Sequence, residues 1–373
     1  MANLASDRAN SDQFLFERDG SAQGLTRRSV LGGISALSAG VLLPEISQAK
    51  PAVPYGVATQ IEHFRDDPVY RAKLLQYCDN IVPMNALKWA SLRHTEGKFD
   101  FSAADQLIEF AEQNKCGTHG HTLLWYDYNP DWVNAIDDAK TAEKVLVEHI
   151  ETVVDRYKGR IPTWDVVNEV IAHDPRWFGQ WREGMWLKLL GPAHVDIAFR
   201  AAARTDPNAE LIINDYDLAN WGSRFNKRRA IMLDLVRHLQ DQNIPVHGVG
   251  MQAHLYAERE VDHKQVVKFM RDLKALGVDV WVSELDFIDW KLSADHSVRD
   301  RAVAQVATQF LDAVFEGGPP RAVTTWGISD RHTWITNTFP RDDGLSSRAL
   351  PLDENYQEKP LMQVLRGYLA MRA

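Results

Sequence analysis

Thr163-Trp164-Asp165-Val166-Val167-Asn168-Glu169 reads as a short apolar run that ends on an amide and a carboxylate. A segment of this length, rich in β-branched and aromatic residues, suits a strand buried on both faces. The acid at its C-terminal end then needs either a partner or a purpose. Runs of the same kind recur on both sides of it, at Tyr55–Thr59, Asn80–Met84, Thr118–Trp125, 211–215, 246–252, 278–285 and 322–327. Helical stripes fill the intervals. Leu146, Ile150, Val153 and Tyr157 step by four, three and four, as do Val303, Val306, Phe310 and Val314, and Leu273 and Leu276 precede a stop at Gly277. Eight strands alternating with helices predict an α/β fold, a single-domain (β/α)8 TIM barrel. The competing doubly wound sheet lacks support, because no G-x-G-x-x-G follows the first strand and no phosphate-binding loop is present.

Composition narrows the class further. The 373 residues are 45% hydrophobic and 25% charged with a formal net charge of −9, which gives no basic surplus for nucleic acid. The first 49 residues read as a leader. Arg27 and Arg28 precede an uncharged stretch from Ser29 to Pro44, too short to span a bilayer, and Ser47-Gln48-Ala49 has the small-residue spacing of a cleavage site. The string Thr26-Arg27-Arg28-Ser29-Val30-Leu31 is similar to a twin-arginine signal, with a Sec-type signal as the alternative. The expectation is an exported, periplasmic or secreted protein, with 1–49 removed and 50–373 forming the catalytic domain. Cys78 and Cys116 are expected as two buried thiols rather than a disulfide.

In a barrel of this kind, chemistry sits where the strands end. Those ends carry Asn168-Glu169 on the fourth strand, Gln252 and His254 on the sixth, and Glu284 with Asp286 on the seventh. Two opposed carboxylates suit glycoside hydrolysis, one protonating the leaving oxygen and one attacking the anomeric carbon. Glu284 and Asp286 are two residues apart and share a face, as do Gln252 and His254, so His254 is placed to bridge the two acids and keep Glu284 ionised. Asn168 is placed to hold a sugar hydroxyl. Trp89, Trp164 and Trp281 fall inside elements and read as core. Trp125, Trp326 and Trp334 fall at strand ends or just beyond and read as sugar contacts, while Tyr216 and Trp177 are undecided.

These stretches together resemble glycoside hydrolase family 10, the endo-β-1,4-xylanase family, across essentially the whole of 50–373. Trp164–Glu169 is similar to its acid/base signature and Ser283-Glu284-Leu285-Asp286 to its nucleophile signature. Further matches are Asn85 with Lys88-Trp89, Gly120–Trp125, Ile213-Asn214-Asp215-Tyr216, Gly248–His254, and Trp326–Asp330 with Trp334. The resemblance implies a retaining, endo-acting enzyme on xylan or xylo-oligosaccharides, with Glu169 as acid/base and Glu284 as nucleophile, supported by Asn168, His254 and Asp286. It implies Asn85, Lys88, His121, Trp125, Gln252, Trp326 and Trp334 as substrate contacts, with no cofactor or metal, and a monomer. Four positions depart from the family pattern. Met84 stands where Glu is usual, Tyr126 and Tyr128 where His and Gln are usual, and His119 where Arg is common. They bear on which sugar is accepted, so a retaining glycosidase for short or non-xylose β-1,4 oligosaccharides is the nearest alternative. A metal-dependent amidohydrolase using His119 and His121, and a non-catalytic sugar binder, are remoter ones.

Overall fold

The computed structural model describes residues 53–369. Eight parallel staves run through it: β1 (Tyr55–Thr59), β2 (Asn80–Pro83), β3 (Gly120–Trp125), β4 (Thr163–Asn168), β5 (Glu210–Asp215), β6 (Gly248–Met251), β7 (Asp279–Ile288) and β8 (Val323–Thr325). Pairing proceeds from β2 through β1, β8, β7, β6, β5 and β4 to β3. The ring closes through a short leading piece of the third stave, Gly117–Thr118, which pairs with β2 through Asn80↔Gly117 and Ile81↔Thr118. The rest of that stave pairs with β4, with His121 opposite Asp165.

Outer helices follow each stave: α1 (Pro68–Tyr77), α2 (Ser102–Gln113), α3 (Ala139–Arg156), α4 (Ala193–Thr205), α5 (Ser223–Asp241), α6 (His263–Ala275), α7 (His296–Gly317) and α8 (Pro360–Tyr368). Local chemistry sets their starts. Asp67, Asp138, Asp262 and Asp295 accept backbone N–H groups at the first turns of α1, α3, α6 and α7, satisfying donors that have no partner inside the helix. Their apolar stripes pack on staves that are buried on both faces. Trp164 on β4 is fully buried, and the Gly120 backbone lies against its ring, so a Cβ there would come within 2.1 Å of Trp164 Cε3.

The sequence pattern located every stave, and its main departures fall on the third, sixth, seventh and eighth. The third run is not continuous, because it changes neighbours at His119, whose ring leaves the ladder for Asp165. The sixth stops at Met251, because Ala253 takes a left-handed backbone (φ 61°), and pairing resumes at His254–Tyr256 alongside the outer half of β7. That extra pairing lengthens β7 to Ile288. The eighth ends at Thr325, two residues before Gly327, whose φ of 118° ends any extension. Trp89, Trp164 and Trp281 are core residues, and Cys78 and Cys116 form no disulfide; both are buried. Among the described residues no helix is long and apolar enough to cross a membrane. The leader read at 1–49 lies outside them.

Candidate active site

Glu169 leaves β4 at its C-terminal end with φ 57°, a left-handed conformation uncommon for a residue with a side chain. That turn carries the carboxylate off the ladder and over the barrel mouth, half-buried, where the indole N–H of Trp125 donates to Oε2 at 3.0 Å and Gln252 Nε2 donates to Oε1 at 3.2 Å. The strain is held in place behind it. The Ile171 N–H donates to Asp215 Oδ2 at 3.0 Å, and Asp215 is itself in a fully buried ion pair with Arg228.

Glu284, only 4% exposed, projects from the middle of β7. Asn214 Nδ2 donates to its Oε1 at 2.6 Å, and His254 Nε2 donates to its Oε2 at 3.2 Å. The second nitrogen of His254 donates to Asp286 Oδ1 at 2.7 Å, while Trp334 Nε1 donates to Asp286 Oδ2 at 2.7 Å. Register explains the bridge, since His254 lies directly opposite Asp286 in the ladder. Burial works against a charged imidazole at position 254, but Asp286 and Glu284 outweigh it and raise His254 to about 10. Burial likewise works against ionised Glu284, yet the hydrogen bond from His254 and the nearby His121 bring its pKa below the usual glutamate value.

The two carboxylates are joined through Asn168. Its Oδ1 accepts Asn214 Nδ2 at 2.9 Å and Gln252 Nε2 at 3.1 Å, the same two amides that hold Glu284 and Glu169. His121 Nδ1 meets Asp165 Oδ2 at 2.7 Å and lies 4.0 Å from Glu284. His119 Nε2 meets the other oxygen of Asp165 at 2.9 Å. Burial would raise the Asp165 carboxyl, but the two histidines hold it at about 2. Both rings of the H-x-H pair thus engage one carboxylate, and among the described residues no group of three or more His, Cys, Asp or Glu is arranged to hold a metal ion. His119 is a packed residue here.

On the β8–β1–β2 side of the mouth, Lys88 Nζ donates to Asn85 Oδ1 at 3.0 Å and lies 4.6 Å from the Trp125 ring centroid and 6.0 Å from that of Trp326. Burial lowers its pKa against the opposing pull of Glu284 and Glu169. Trp326 packs edge-on to His121 and Trp334 edge-on to His254. The candidate catalytic, supporting and sugar-contacting residues therefore gather at one end of the barrel. The departures divide. Met84 is buried under Trp326 beside Ala58 and Val82, and its sulfur accepts from Gln60 Nε2 at 3.3 Å. Tyr126 is capped by the Arg182 guanidinium at 4.6 Å, whereas Tyr128 is 41% exposed on the rim. Sequence reasoning placed Asn214 and Asp165 in the matched motifs without giving either a role in the site, and it missed Arg182. The first was legible as a second amide at a strand end beside Asn168. Arg182, thirteen positions past Glu169, gave no signal.

The family model for glycosyl hydrolase family 10 matches residues 44–367. Endo-1,4-beta-xylanase 3 from Hypocrea jecorina is 32% identical over 333 residues, covering 88% of this chain and 85% of its own length. The crystal structure of native xylanase 10B from Thermotoga maritima superposes with a TM-score of 0.78 at 28% identity, covering 85% of this chain and 94% of that one. Xylanase 10B from Thermotoga petrophila RKU-1, solved in complex with xylobiose, gives 0.77 at 27% identity, with coverage of 85% and 94%. The eight-stave barrel, its two carboxylates on β4 and β7, and a match along nearly all of the described chain place this protein in glycosyl hydrolase family 10.

Proposed function

We propose that the chain hydrolyses internal β-1,4-xylosidic bonds of xylan or xylo-oligosaccharides with retention of configuration, with Glu169 as acid/base and Glu284 as nucleophile. The observation that carries this reading is the asymmetry of the two acids. Glu284 is buried against a histidine cation and an amide donor, and its pKa is lowered, which keeps it ionised for attack. Glu169 stands at the rim with an indole and an amide, and no cation bonds to it. In the first step the Glu284 carboxylate attacks the anomeric carbon while Glu169 gives its proton to the departing oxygen; in the second, Glu169 takes a proton from water as the glycosyl–Glu284 ester opens. With Asn168 Oδ1 fixed by two donors, its Nδ2 is left to meet a sugar hydroxyl near the reacting carbon.

Substrate identity rests on the curated relatives' names, with Lys88, Asn85, Trp326 and Trp334 as the candidate contacts on the glycone side. We read residues 1–49 as an export signal, which would place 50–373 outside the cytoplasm. The deciding experiment uses an activated 2-fluoro-xylobioside. It should inactivate the protein and leave a glycosyl mass on the peptide containing Glu284. Glu284→Ala should be inert. Glu169→Ala should still turn over aryl xylobiosides with good leaving groups and be accelerated by azide, while losing xylan hydrolysis by about 10²-fold or more. Label on any other residue, or xylan cleavage by Glu169→Ala at the wild-type rate, would refute the assignment.

A further inference from the structure

The chain between Glu169 and Arg182 folds back on itself as an arm. The Arg182 N–H donates to the Val170 carbonyl at 2.8 Å, the Ala172 N–H donates to the Gln180 carbonyl at 2.9 Å, and Ile171 bridges Trp181. The arm thus returns to the residue directly after the proposed acid. There the Arg182 guanidinium lies 4.6 Å from the ring centroid of Tyr126 and 5.4 Å from that of Tyr216, and it donates to the Tyr216 hydroxyl. Tyr126 directly follows Trp125, the indole that donates to Glu169 Oε2. Tyr216 is held in turn by His173 Nδ1 at 2.9 Å.

Glu169, Tyr126, Arg182, Trp186 and His194 line one cavity of about 20 Å³. A space of that size takes about one water molecule and no sugar ring. It brings Arg182 to Glu169 without offering it a saccharide. The guanidinium bonds a phenol rather than a carboxylate, and its Nε is buried with no hydrogen-bond partner among the described residues. Burial works against that charge, but Tyr216, Tyr126 and Glu169 outweigh it and raise the Arg182 pKa. The other charges facing Glu169 are matched elsewhere. Asp215 on β5 is ion-paired with Arg228, Glu284 on β7 is bonded by His254, and Lys88 is drawn to Glu284 more strongly than to Glu169. His194 on α4 is held neutral by burial.

This balance changes during turnover. In the free enzyme the Glu284 carboxylate favours a protonated Glu169, against the pull of Arg182. Once Glu284 is esterified its charge is gone, and Glu169, having given up its proton, has to stay ionised until it takes one from the attacking water. We propose that Arg182 is a positioning residue for the acid/base, a standing cation that stabilises the Glu169 carboxylate in the glycosyl–enzyme and so speeds the second step. This rests on the glycosidase reading above.

The test measures kcat against pH for the wild type, Arg182→Met, Arg182→Gln and Arg182→Lys on 2,4-dinitrophenyl β-xylobioside, whose leaving group departs so readily that the second step sets kcat. Loss of the cation makes the Glu169 carboxylate harder to form. The acid limb of kcat in the methionine and glutamine variants should therefore move up by about one pH unit, with kcat about tenfold lower on the acid side and within about twofold on the plateau. Arg182→Lys keeps the charge and should keep the wild-type limb. The position of a limb does not depend on how much of a sample is folded, and Arg182→Gln retains a donor for Tyr216 should the methionine variant be unstable. Acid limbs unmoved in both uncharged variants, or moved equally in Arg182→Lys, would overturn the inference while leaving the proposed function intact. A wild-type chain inert towards the xylobioside would overturn both together.

Discussion

His254 carries more of the site than its single position suggests. It is the cation between Glu284 and Asp286, and burial makes both of those carboxylates costly without it. Its folded pKa, about 10, lies above the ordinary value of 6.5, so its contribution to stability is complete below about pH 6.5 and is lost as pH rises through about 10. His254→Asn should therefore unfold more easily than wild type by about 3–5 kcal/mol near pH 6.5. The gap should close towards pH 10. Chemical denaturation at pH 6.5, 8 and 10 reads this directly, and a gap constant across the series would refute the charged bridge. The role of His254 was legible from residue types and from Glu284 and Asp286 repeating at the strand period, although the left-handed Ala253 breaks the strand that the same reasoning drew through Gln252 and His254. The part of Asp165 was not. An acid near the start of a strand is indistinguishable in sequence from a solvated one until the fold brings His119 and His121 to it from the next stave.

At the scale of the element, the inner faces of β5, β6 and β7 hold Glu284 through close backbone approach. Gly250 lies opposite Asn214 in the ladder, and a Cβ added there would fall 2.1 Å from Asn214 Oδ1, the oxygen that already accepts Ser283 Oγ at 2.6 Å. Gly250→Ala should displace the Asn214 amide, cost about 1–3 kcal/mol of stability, and lower kcat by about 10²-fold through misplacement of Glu284, the proposed nucleophile. Thermal unfolding and turnover on an aryl xylobioside check the two effects separately; an alanine variant with native kcat would show that Asn214 does not orient Glu284. Staves were readable because both of their faces are buried, which leaves nearly unbroken apolar runs. Their ends were not, because they are set by tertiary events: a side chain leaving for a neighbour at His119, and left-handed backbone at Ala253 and Gly327. The arm from Val170 to Arg182 gave no periodic signal, since only a few of its residues pair and its tip turns through Gly179.

At the scale of the whole molecule, the barrel separates what holds it together from what it does. The stripes of α1–α8 and the staves' outward faces form the main core, while carboxylates, amides and indoles gather at one end of the ring. Residues 1–49 contribute none of the 12 tryptophans and neither cysteine, in keeping with their reading as a leader. Expressed full-length in a bacterium with a twin-arginine export route, the protein should accumulate outside the cytoplasm with Lys50 as its first residue. A variant with lysine at both Arg27 and Arg28 should stay inside the cell. N-terminal sequencing of the exported fraction decides it, and a mature protein that begins at Met1 would refute the leader.

The left-handed backbone at Glu169 has a consequence for anyone improving this protein. A side chain in that region costs about 1–2 kcal/mol that glycine would not incur, and the carboxylate sits at the rim, where water can replace what it gives to Trp125 and Gln252. Selection on melting temperature alone would enrich glycine at position 169. The hardier proteins so obtained would have surrendered the carboxylate proposed as proton donor, so any screen for heat tolerance has to score turnover in the same well.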